Sequence, residues 1–272
     1  MTPPKYIKWF VAEESVVIEN DIPITCYKLD YSINQDILRD WAKHIRRHYE
    51  SDEELAESLR ATSLTAKEYL RTYVIPQKQD VMGPSSRSND FTEIMVSDLL
   101  EFIHGYSVPR CKQDNRSGKT SSEHGTDIIA YSFCESYKRP SLKDELMAVE
   151  VKAGLSSDSF DPIFKAVVDS QKYDEVRHAH TLNFYRKELK RKGQIQQSEE
   201  IARFQKKSEF DYILTYVAAA VISRESIPIN KAIEINGQSI VLRNDDRLFL
   251  IHGKQLMKLA HDIYERCVEL TH

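Results

Sequence analysis

Hydrophobic and polar residues follow two different periods within the first 80 residues. Short runs rich in β-branched and aromatic residues predict strands over residues 6–11, 15–18 and 26–31. Over residues 34–49, apolar residues recur every three or four positions, which predicts an amphipathic helix. A capping-box sequence at Ser51, with Glu54 three residues later, predicts a second helix, and residues 65–73 predict a third. Residues 1–80 are therefore interpreted as a mixed α+β lobe.

A stretch rich in Pro, Gly and Ser (residues 76–89) interrupts this pattern, and we place a linker at residues 81–90. Beyond it, further strands are predicted over residues 107–112, 126–133, 146–152, 211–222 and 247–252. Helices are predicted over residues 91–104, 160–176, 181–207 and 255–269. Strands that alternate with helices indicate an α/β fold, here a mixed central β-sheet flanked by helices. Residues 91–272 then form a second domain that ends in a strand and a helix.

The composition excludes several classes of protein. The 38 Lys and Arg residues against 42 Asp and Glu give a formal net charge of −4, which argues against coating nucleic acid by bulk charge. This small net negative charge still allows a local basic groove. The longest apolar run, residues 213–222, is far shorter than the roughly 20 residues of a membrane-spanning helix. The four cysteines are scattered, and residues 1–10 lack the apolar core of a secretory signal, so we expect a cytoplasmic protein with reduced thiols.

One apolar segment, LMAVEVKAG at residues 146–154, carries two charges. Alternation along a strand places Met147 and Val149 on one face and Glu150 and Lys152 on the other. Burying two charges is costly unless they pair or bind a ligand. The terminal Gly154 is expected to open space at the end of the strand. The segment is therefore a candidate for chemistry.

Two further acids belong to the same setting. Asp127 stands at the start of an apolar strand, and Glu93 lies near the start of the preceding helix. If the two strands are neighbours, Asp127 and Glu150 converge and offer the hard oxygen ligands that Mg²⁺ or Mn²⁺ prefers. Lys152 could then orient or deprotonate a water and stabilise charge on a phosphate, as in metal-assisted phosphodiester hydrolysis.

This arrangement resembles the PD-(D/E)XK nuclease superfamily, whose element order α-β-β-β-α-β matches the order predicted from residue 91 onward. The resemblance implies four roles: metal ligands Asp127 and Glu150, catalytic lysine Lys152 and accessory acid Glu93. It also implies that Gln171 or Tyr173, on the next helix, contacts the nucleotide. Thr126 stands where the superfamily motif has Pro.

A narrower resemblance is to the HamA family, the nuclease subunit of the Hachiman anti-phage defence system, which is related to the AbpA defence proteins. It is carried by four segments: RSNDFTEI at 87–94, VPR at 108–110, HGTDIIA at 124–130 and VEVKA at 149–153. The resemblance implies a cytosolic complex with a superfamily 2 helicase partner (HamB) that restrains the nuclease until DNA is sensed. We expect residues 1–80 to bind that partner.

Several basic residues are candidates for DNA contact. Ser117-Gly118-Lys119-Thr120 lacks the upstream Gly and the flanking strand of a P-loop and is rejected as one. The loop from Arg110 to Lys119 could still touch a DNA backbone, although a solvated loop is the favoured explanation. A second basic run contains Arg186, Lys187 and Lys190, with a solvated helix face as the alternative. His178 and His180 are interpreted as surface residues, and His124 as a turn residue.

Two function classes follow from these patterns. The first is a Mg²⁺- or Mn²⁺-dependent deoxyribonuclease, largely nonspecific because no base-reading module is apparent in the sequence. The second is a non-catalytic adaptor that retains a nuclease-like fold to dock a helicase or DNA ends. The presence of all four site residues favours the first.

Overall fold

A β-sheet forms the centre of the fold. The computed structural model describes residues 2–17, 23–114, 116, 118–121, 125–156, 161–232, 242–243 and 246–269. Its strands are β1 (Phe10–Ala12), β2 (Val16–Val17), β3 (Pro23–Leu29), β4 (Ile128–Ser132), β5 (Glu145–Gly154), β6 (Ile213–Ser223) and β7 (Arg247–Gly253). They lie in the order β1-β3-β7-β6-β5-β4, with β2 also paired to β3. Strands β3, β7, β6 and β5 are mutually parallel, and β4 joins β5 antiparallel.

Helices cover both faces of this sheet. They are α1 (Gln35–Tyr49), α2 (Asp52–Arg60), α3 (Ala66–Tyr69), α4 (Gly83–Phe102), α5 (Pro162–Ser170), α6 (Glu175–Arg191), α7 (Ile195–Phe204), α8 (Ile229–Ala232) and α9 (Leu256–Glu269). A 3₁₀ turn (Lys5–Trp9) precedes β1, and a π-helical turn (Leu70–Val74) follows α3. The predicted α/β architecture with a mixed sheet between helices is confirmed. None of the helices in the described ranges is both long and apolar enough to cross a bilayer.

Local sequence explains where several helices begin and end. Ser51 caps α2 through the predicted capping box, in which its hydroxyl accepts from the Glu54 backbone and the Glu54 side chain accepts from the Ser51 backbone. Thr65 and Glu68 form the same motif at α3. The predicted polar helix over 181–207 is instead two helices, because Gly193, at φ 73°, lets the chain turn between α6 and α7.

Alternation along the strands divides the core into two layers. Met147, Val149 and Val151 of β5 belong to the cluster that α1, α4 and α9 cover, as the period-two pattern predicts. On the opposite face, α5 packs Ile163 and Val167 against β6 and β7. The same face continues under α6 and α7 beside β4. Glu150 and Lys152 therefore leave the sheet on the side of α5 and α6.

The N-terminal residues contribute to the same sheet. β3 pairs in parallel with β7, with Ile24 opposite Leu248 and Leu29 opposite Gly253. Helix α1 packs against α9 at the C-terminal end of the chain, where Cys267 Sγ donates to the Ala42 carbonyl at 3.2 Å. Residues 1–80 thus form one edge of the sheet, and their role in binding a partner stays a prediction.

Helix α4 begins at Gly83, so the linker predicted at residues 81–90 is largely the first two turns of this helix. Pro84 fits the first helical turn, where its missing N–H costs nothing. Arg87 and Asp90 are fully buried because each has a charged partner: Glu265 Oε1 lies 2.9 Å from Arg87 Nη1, and Arg116 Nη1 lies 2.7 Å from Asp90 Oδ2. The Ser and Gly content indicated a loop, but these long-range ion pairs favour a helix.

The strand predicted over residues 107–112 is also wrong. In this segment, Ser107 makes an isolated bridge to Tyr131, and the chain then runs as a loop past the end of α4. Ion pairs, and not the hydrogen bonds of a strand, fix this segment, since Arg110 and Lys112 both contact buried or half-buried carboxylates. The order from α4 to β6 is consequently α-β-β-α-α-α-β.

Candidate active site

Asp127 and Glu150 face each other across neighbouring strands. Ile128, the first residue of β4, pairs with Val149 of β5 at the end of the antiparallel ladder. Asp127 directly precedes Ile128 and Glu150 directly follows Val149, so the two acids lie side by side just beyond this pair. Both side chains line an open cleft of about 970 Å³ between the sheet and α6. The structure therefore brings together the two acids that the sequence singled out.

Glu150 is 4% exposed, and its carboxylate is held by a cation from α6. Arg177 Nη2 donates to Glu150 Oε1 at 2.7 Å and to the Gly125 carbonyl at 2.9 Å. Burial and the charge of Asp127 raise the pKa of Glu150 to about 8, although Arg177 acts in the opposite direction. The protein around Glu150 thus stabilises the ionised carboxylate less well than water does.

Asp127 is fixed by the backbone of the neighbouring strand. Its Oδ2 accepts a hydrogen bond from the Val151 N–H at 2.8 Å, and its Oδ1 lies 3.6 Å from Lys112 Nζ. Lys112 is 8% exposed, so this cation is directed inward. Oδ2 of Asp127 therefore fixes the side chain against β5, while Oδ1 faces Lys112.

Glu93 approaches Asp127 from the other side. It lies on α4 and lines a small inner cavity that also includes Lys112 and Asp127, and it does not line the open cleft. Gln113 Nε2 lies 3.5 Å from Glu93 Oε2. Burial, together with the charges of Asp127 and Asp90, raises the pKa of Glu93 to about 8 against the opposing charge of Lys112. Three carboxylates thus crowd one region.

Lys152 is held beside the cleft by Asp169, which lies at the C-terminal end of α5. Lys152 Nζ is 2.5 Å from Asp169 Oδ2, and Lys172 binds the other oxygen of Asp169 at 2.6 Å. Burial opposes the charged form of Lys152, but Asp169 and Asp127 outweigh it, so the pKa of Lys152 is raised. Of the two roles that the sequence left open, stabilising negative charge therefore fits better than accepting a proton.

If the chain cleaves DNA as its sequence predicts, replacing Asp169 by Asn should lower the cleavage rate about tenfold to a hundredfold, because Lys152 loses the carboxylate that orients it. Metal binding should be unchanged, since both oxygens of Asp169 are bound by lysines. Cleavage rates and Mn²⁺ affinities of wild type and Asp169→Asn check this. Glu209→Gln, an exposed variant near β6, serves as the control. An unchanged cleavage rate in Asp169→Asn would contradict the assigned role.

The donor set at this site fits a hard divalent cation. Asp127 and Glu150 offer carboxylate oxygens on one cleft, which is the ligand type that Mg²⁺ and Mn²⁺ prefer. Burial first, and then the charge of Asp127, raises the pKa of Glu150 and of Glu93 against the opposing charges of neighbouring lysines and arginines. A bound divalent cation would supply the missing positive charge.

A second group of potential metal ligands lies elsewhere, between α1 and α4. One ligand atom each from His44, His48 and Asp98 falls within 4.8 Å of the others, and all three residues are buried. This group could hold a metal ion, but a cation already occupies it. Arg110 Nη2 lies 2.8 Å from Asp98 Oδ1, and Arg110 Nη1 donates to His48 Nε2 at 3.1 Å. We therefore interpret the group as a buried ion-pair network.

The basic loop before β4 is bound to the protein rather than free for DNA. Arg110 contacts Asp98 and Glu101. Lys119 Nζ lies 2.8 Å from Asp80 Oδ2 and also donates to the Arg71 carbonyl. Both side chains are thus engaged within the protein, and their predicted DNA contacts stay predictions. Ser117 and His124 lie outside the described residues.

The two candidates after α5 have different surroundings. Gln171 is exposed at the C-cap of α5. Tyr173 is buried, and its hydroxyl lies 2.9 Å from His178 Nδ1, while Tyr212 OH lies 2.9 Å from His178 Nε2. His178 is consequently a half-buried bridge between two tyrosines and not a surface residue. His180, in contrast, is exposed and lines the cleft.

The basic run on α6 divides around the helix. Arg186, Lys187 and Lys190 are all exposed. At 3.6 residues per turn, Lys187 lies roughly 80° from the cleft-lining Arg177, whereas Arg186 and Lys190 lie roughly 140–180° away. Of the three predicted DNA contacts, Lys187 is thus the one nearest the side that faces the cleft.

Three charged residues of the site were missed from the sequence: Lys112, Asp169 and Arg177. None of them lies at a sequence spacing from Asp127 or Glu150 that a known motif would predict, and each belongs to a different segment of the fold. The sequence shows them only as single charges next to apolar segments, which is weak evidence for a site. Gly154 was also misjudged, because a Cβ there would lie 2.6 Å from Ile227 Cδ1, so the glycine permits close packing and does not open the cleft.

Comparison with known proteins identifies one family. The sequence matches the HamA family over residues 4–267, which is nearly the whole chain. No curated protein matches it. The match includes Glu93, Asp127, Glu150 and Lys152, and the α/β fold with strand-borne acids is consistent with a PD-(D/E)XK arrangement. The chain therefore belongs to the HamA family of Hachiman defence-associated proteins.

Proposed function

We propose that the protein is a metal-dependent DNA endonuclease, the effector of a Hachiman defence complex. One observation carries the proposal: Asp127 and Glu150 line the same cleft, and Lys152 lies two residues beyond Glu150 on the same face of β5. A nuclease needs carboxylates to hold a metal and a cation to meet the phosphate. All of these groups lie on the same side of β5.

Asp127 and Glu150 would hold Mg²⁺ or Mn²⁺, with Glu93 acting on the site through the inner cavity it shares with Asp127. When bound, the metal supplies a Lewis acid for the phosphate and lowers the pKa of a water. The Val151 N–H of β5 keeps Asp127 in place just before β4. Glu93, with its raised pKa, can exchange a proton near neutral pH.

Lys152 stays charged and stabilises negative charge as it develops on the phosphate. Its bond to Asp169 fixes the ammonium group beside the cleft before substrate binds, so little reorganisation is needed during the reaction. Cleavage is expected to be largely independent of sequence, since contacts to phosphate oxygens carry no base information. The exposed Lys187 and Gln171 would contact the DNA backbone.

The family membership supports a partner-controlled enzyme. We propose that a superfamily 2 helicase subunit, HamB-like, restrains the nuclease and that residues 1–80 form its binding surface. The alternative is a nuclease-fold adaptor that docks a helicase or DNA ends without cutting. The four ionisable residues of the site argue against the adaptor. Burying charged groups costs free energy, so a site that had lost its function would not be expected to keep all four.

Supercoiled and linear plasmid incubated with purified protein and Mg²⁺ or Mn²⁺ tests the proposal. Asp127→Asn/Glu150→Gln is the inactive control, and each reaction is repeated with the helicase partner and ATP. Metal-dependent cutting that the double variant lacks supports the nuclease. Absence of cutting under every condition would leave the adaptor as the function.

A further inference from the structure

Arg177 occupies the carboxylate that the metal needs. Its Nη2 atom donates both to Glu150 Oε1 and to the Gly125 carbonyl, two residues before Asp127. The guanidinium is half-buried, with 26% of the side chain exposed, and lines the same cleft as Asp127. A cation of the protein thus binds Glu150 directly and also binds the backbone two residues before Asp127.

We propose that Arg177 is a counter-ion that a divalent metal displaces, and that the freed guanidinium then binds a DNA phosphate in the same cleft. The inference rests on the proposed function and adds a regulatory step to it. In the metal-free protein, Arg177 partly neutralises Glu150. On metal binding, the two positive charges repel, and Arg177 must leave Glu150.

The surroundings of Arg177 show where the guanidinium can go. Arg177 belongs to the first turn of α6, and the cleft-facing side of this helix continues through His180 and Phe184. Lys172 lies across the cleft on the loop after α5. A guanidinium released from Glu150 therefore remains in a cleft whose Lys172, His180 and Phe184 suit a nucleic-acid backbone. The two other acids of this lining are already engaged, since Asp169 binds two lysines and Asp174 caps α6.

Electrostatics determine whether replacing Arg177 raises or lowers the affinity for a divalent metal. Removing Arg177 deletes a positive charge next to a site for a divalent cation, so metal affinity should rise. A residue that merely held the site together would have the opposite effect, since its loss would loosen Asp127 and Glu150 and weaken metal binding. Metal affinity therefore distinguishes a displaced counter-ion from a structural residue.

The first test is a Mn²⁺ titration of the full chain, followed by the electron paramagnetic resonance signal of free Mn²⁺. We expect Arg177→Gln to bind Mn²⁺ about tenfold more tightly than wild type, and Arg177→Lys to lie between them. Arg139→Gln, whose side chain is 80% exposed, should match wild type. Glu150→Gln should lose this binding.

The outcomes separate the inference from the proposed function. If Glu150→Gln abolishes binding but Arg177→Gln binds Mn²⁺ no more tightly than wild type, the counter-ion role is overturned and the metal site stands. If Mn²⁺ binding survives Glu150→Gln, the metal site itself is misplaced, and the inference fails with it. Thermal unfolding in EDTA verifies that each variant is folded.

The second test measures DNA affinity in a Lys152→Met background with Mn²⁺ present, using fluorescence anisotropy of a labelled duplex at several salt concentrations. Adding Arg177→Gln should weaken DNA binding several-fold and reduce the slope of log K against log salt by about 0.9, which corresponds to one lost phosphate contact. Tighter Mn²⁺ binding together with weaker DNA binding supports the displacement. An unchanged slope would overturn the transfer of Arg177 to a phosphate.

Discussion

Replacing Glu150 by Gln is expected to lower metal-dependent DNA cleavage by at least about a thousandfold, because the amide neither holds a divalent cation nor replaces the lost negative charge. Lys152→Met should cost about a hundredfold to a thousandfold, since the metal stays but the phosphate loses its cation. Single-turnover rates on supercoiled plasmid at saturating Mn²⁺ measure both effects.

Folding should survive the Glu150 substitution. Burial already favours the uncharged form of Glu150, as its raised pKa shows, so the neutral Gln fits the site with little change in the free energy of unfolding. Glu209→Gln, which removes an exposed carboxylate paired with Lys206, is the matched control for both cleavage and stability. Full cleavage by folded Glu150→Gln would show that the chemistry resides elsewhere.

Replacing Arg110 by Met is expected to destabilise the fold by about 3–5 kcal/mol, the largest stability effect we predict. Asp98 is fully buried on α4 and accepts hydrogen bonds from Tyr6 OH at 2.6 Å, His44 Nε2 at 2.9 Å and Arg110 Nη2 at 2.8 Å. Removing Arg110 leaves this carboxylate without its permanent cation. Urea unfolding of both proteins at pH 7 measures the difference.

The pH dependence of this effect has a definite sign. Burial raises the pKa of Asp98, but His44 and Arg110 outweigh it, so the folded pKa lies well below the unfolded value of about 3.9. The Asp98 contribution to stability is therefore present above about pH 4 and is lost as the pH falls through the folded pKa. The gap between wild type and Arg110→Met should thus be full at pH 7 and shrink as the solution is acidified below about pH 4.

Two controls make the Arg110 experiment specific. Arg139→Met breaks an exposed ion pair with Glu135 and should change the free energy of unfolding by less than about 1 kcal/mol. Asp98→Asn/Arg110→Met removes both charges and should recover part of the loss. If Arg110→Met were as stable as Arg139→Met, the interpretation of this network as a buried ion-pair cluster would be wrong.

The strands and their charges were predictable because strand alternation is local. A carboxylate and a lysine two residues apart in an apolar run must share a face, and Asp127 at the start of the neighbouring strand completes the pair. The helices with caps at Ser51 and with clear three- and four-residue periodicity were predictable for the same reason. In each case, residues close in sequence determined the outcome.

The rest depended on contacts between residues distant in sequence. The helical start of α4 is stabilised by Arg87 with Glu265 and by Asp90 with Arg116, and no local pattern encodes those pairs. Likewise, Arg177 reaches Glu150 from another element, and Asp169 reaches Lys152 from α5. A run of Ser, Gly and Pro therefore indicated a loop, although tertiary ion pairs stabilise a helix there.

Anomalous scattering from crystals grown with Mn²⁺ tests the metal centre most directly. We predict a peak about 2.1 Å from carboxylate oxygens of both Asp127 and Glu150, with Arg177 moved away from Glu150. No peak at these two residues, or a peak confined to His44, His48 and Asp98, would contradict the proposed nuclease centre.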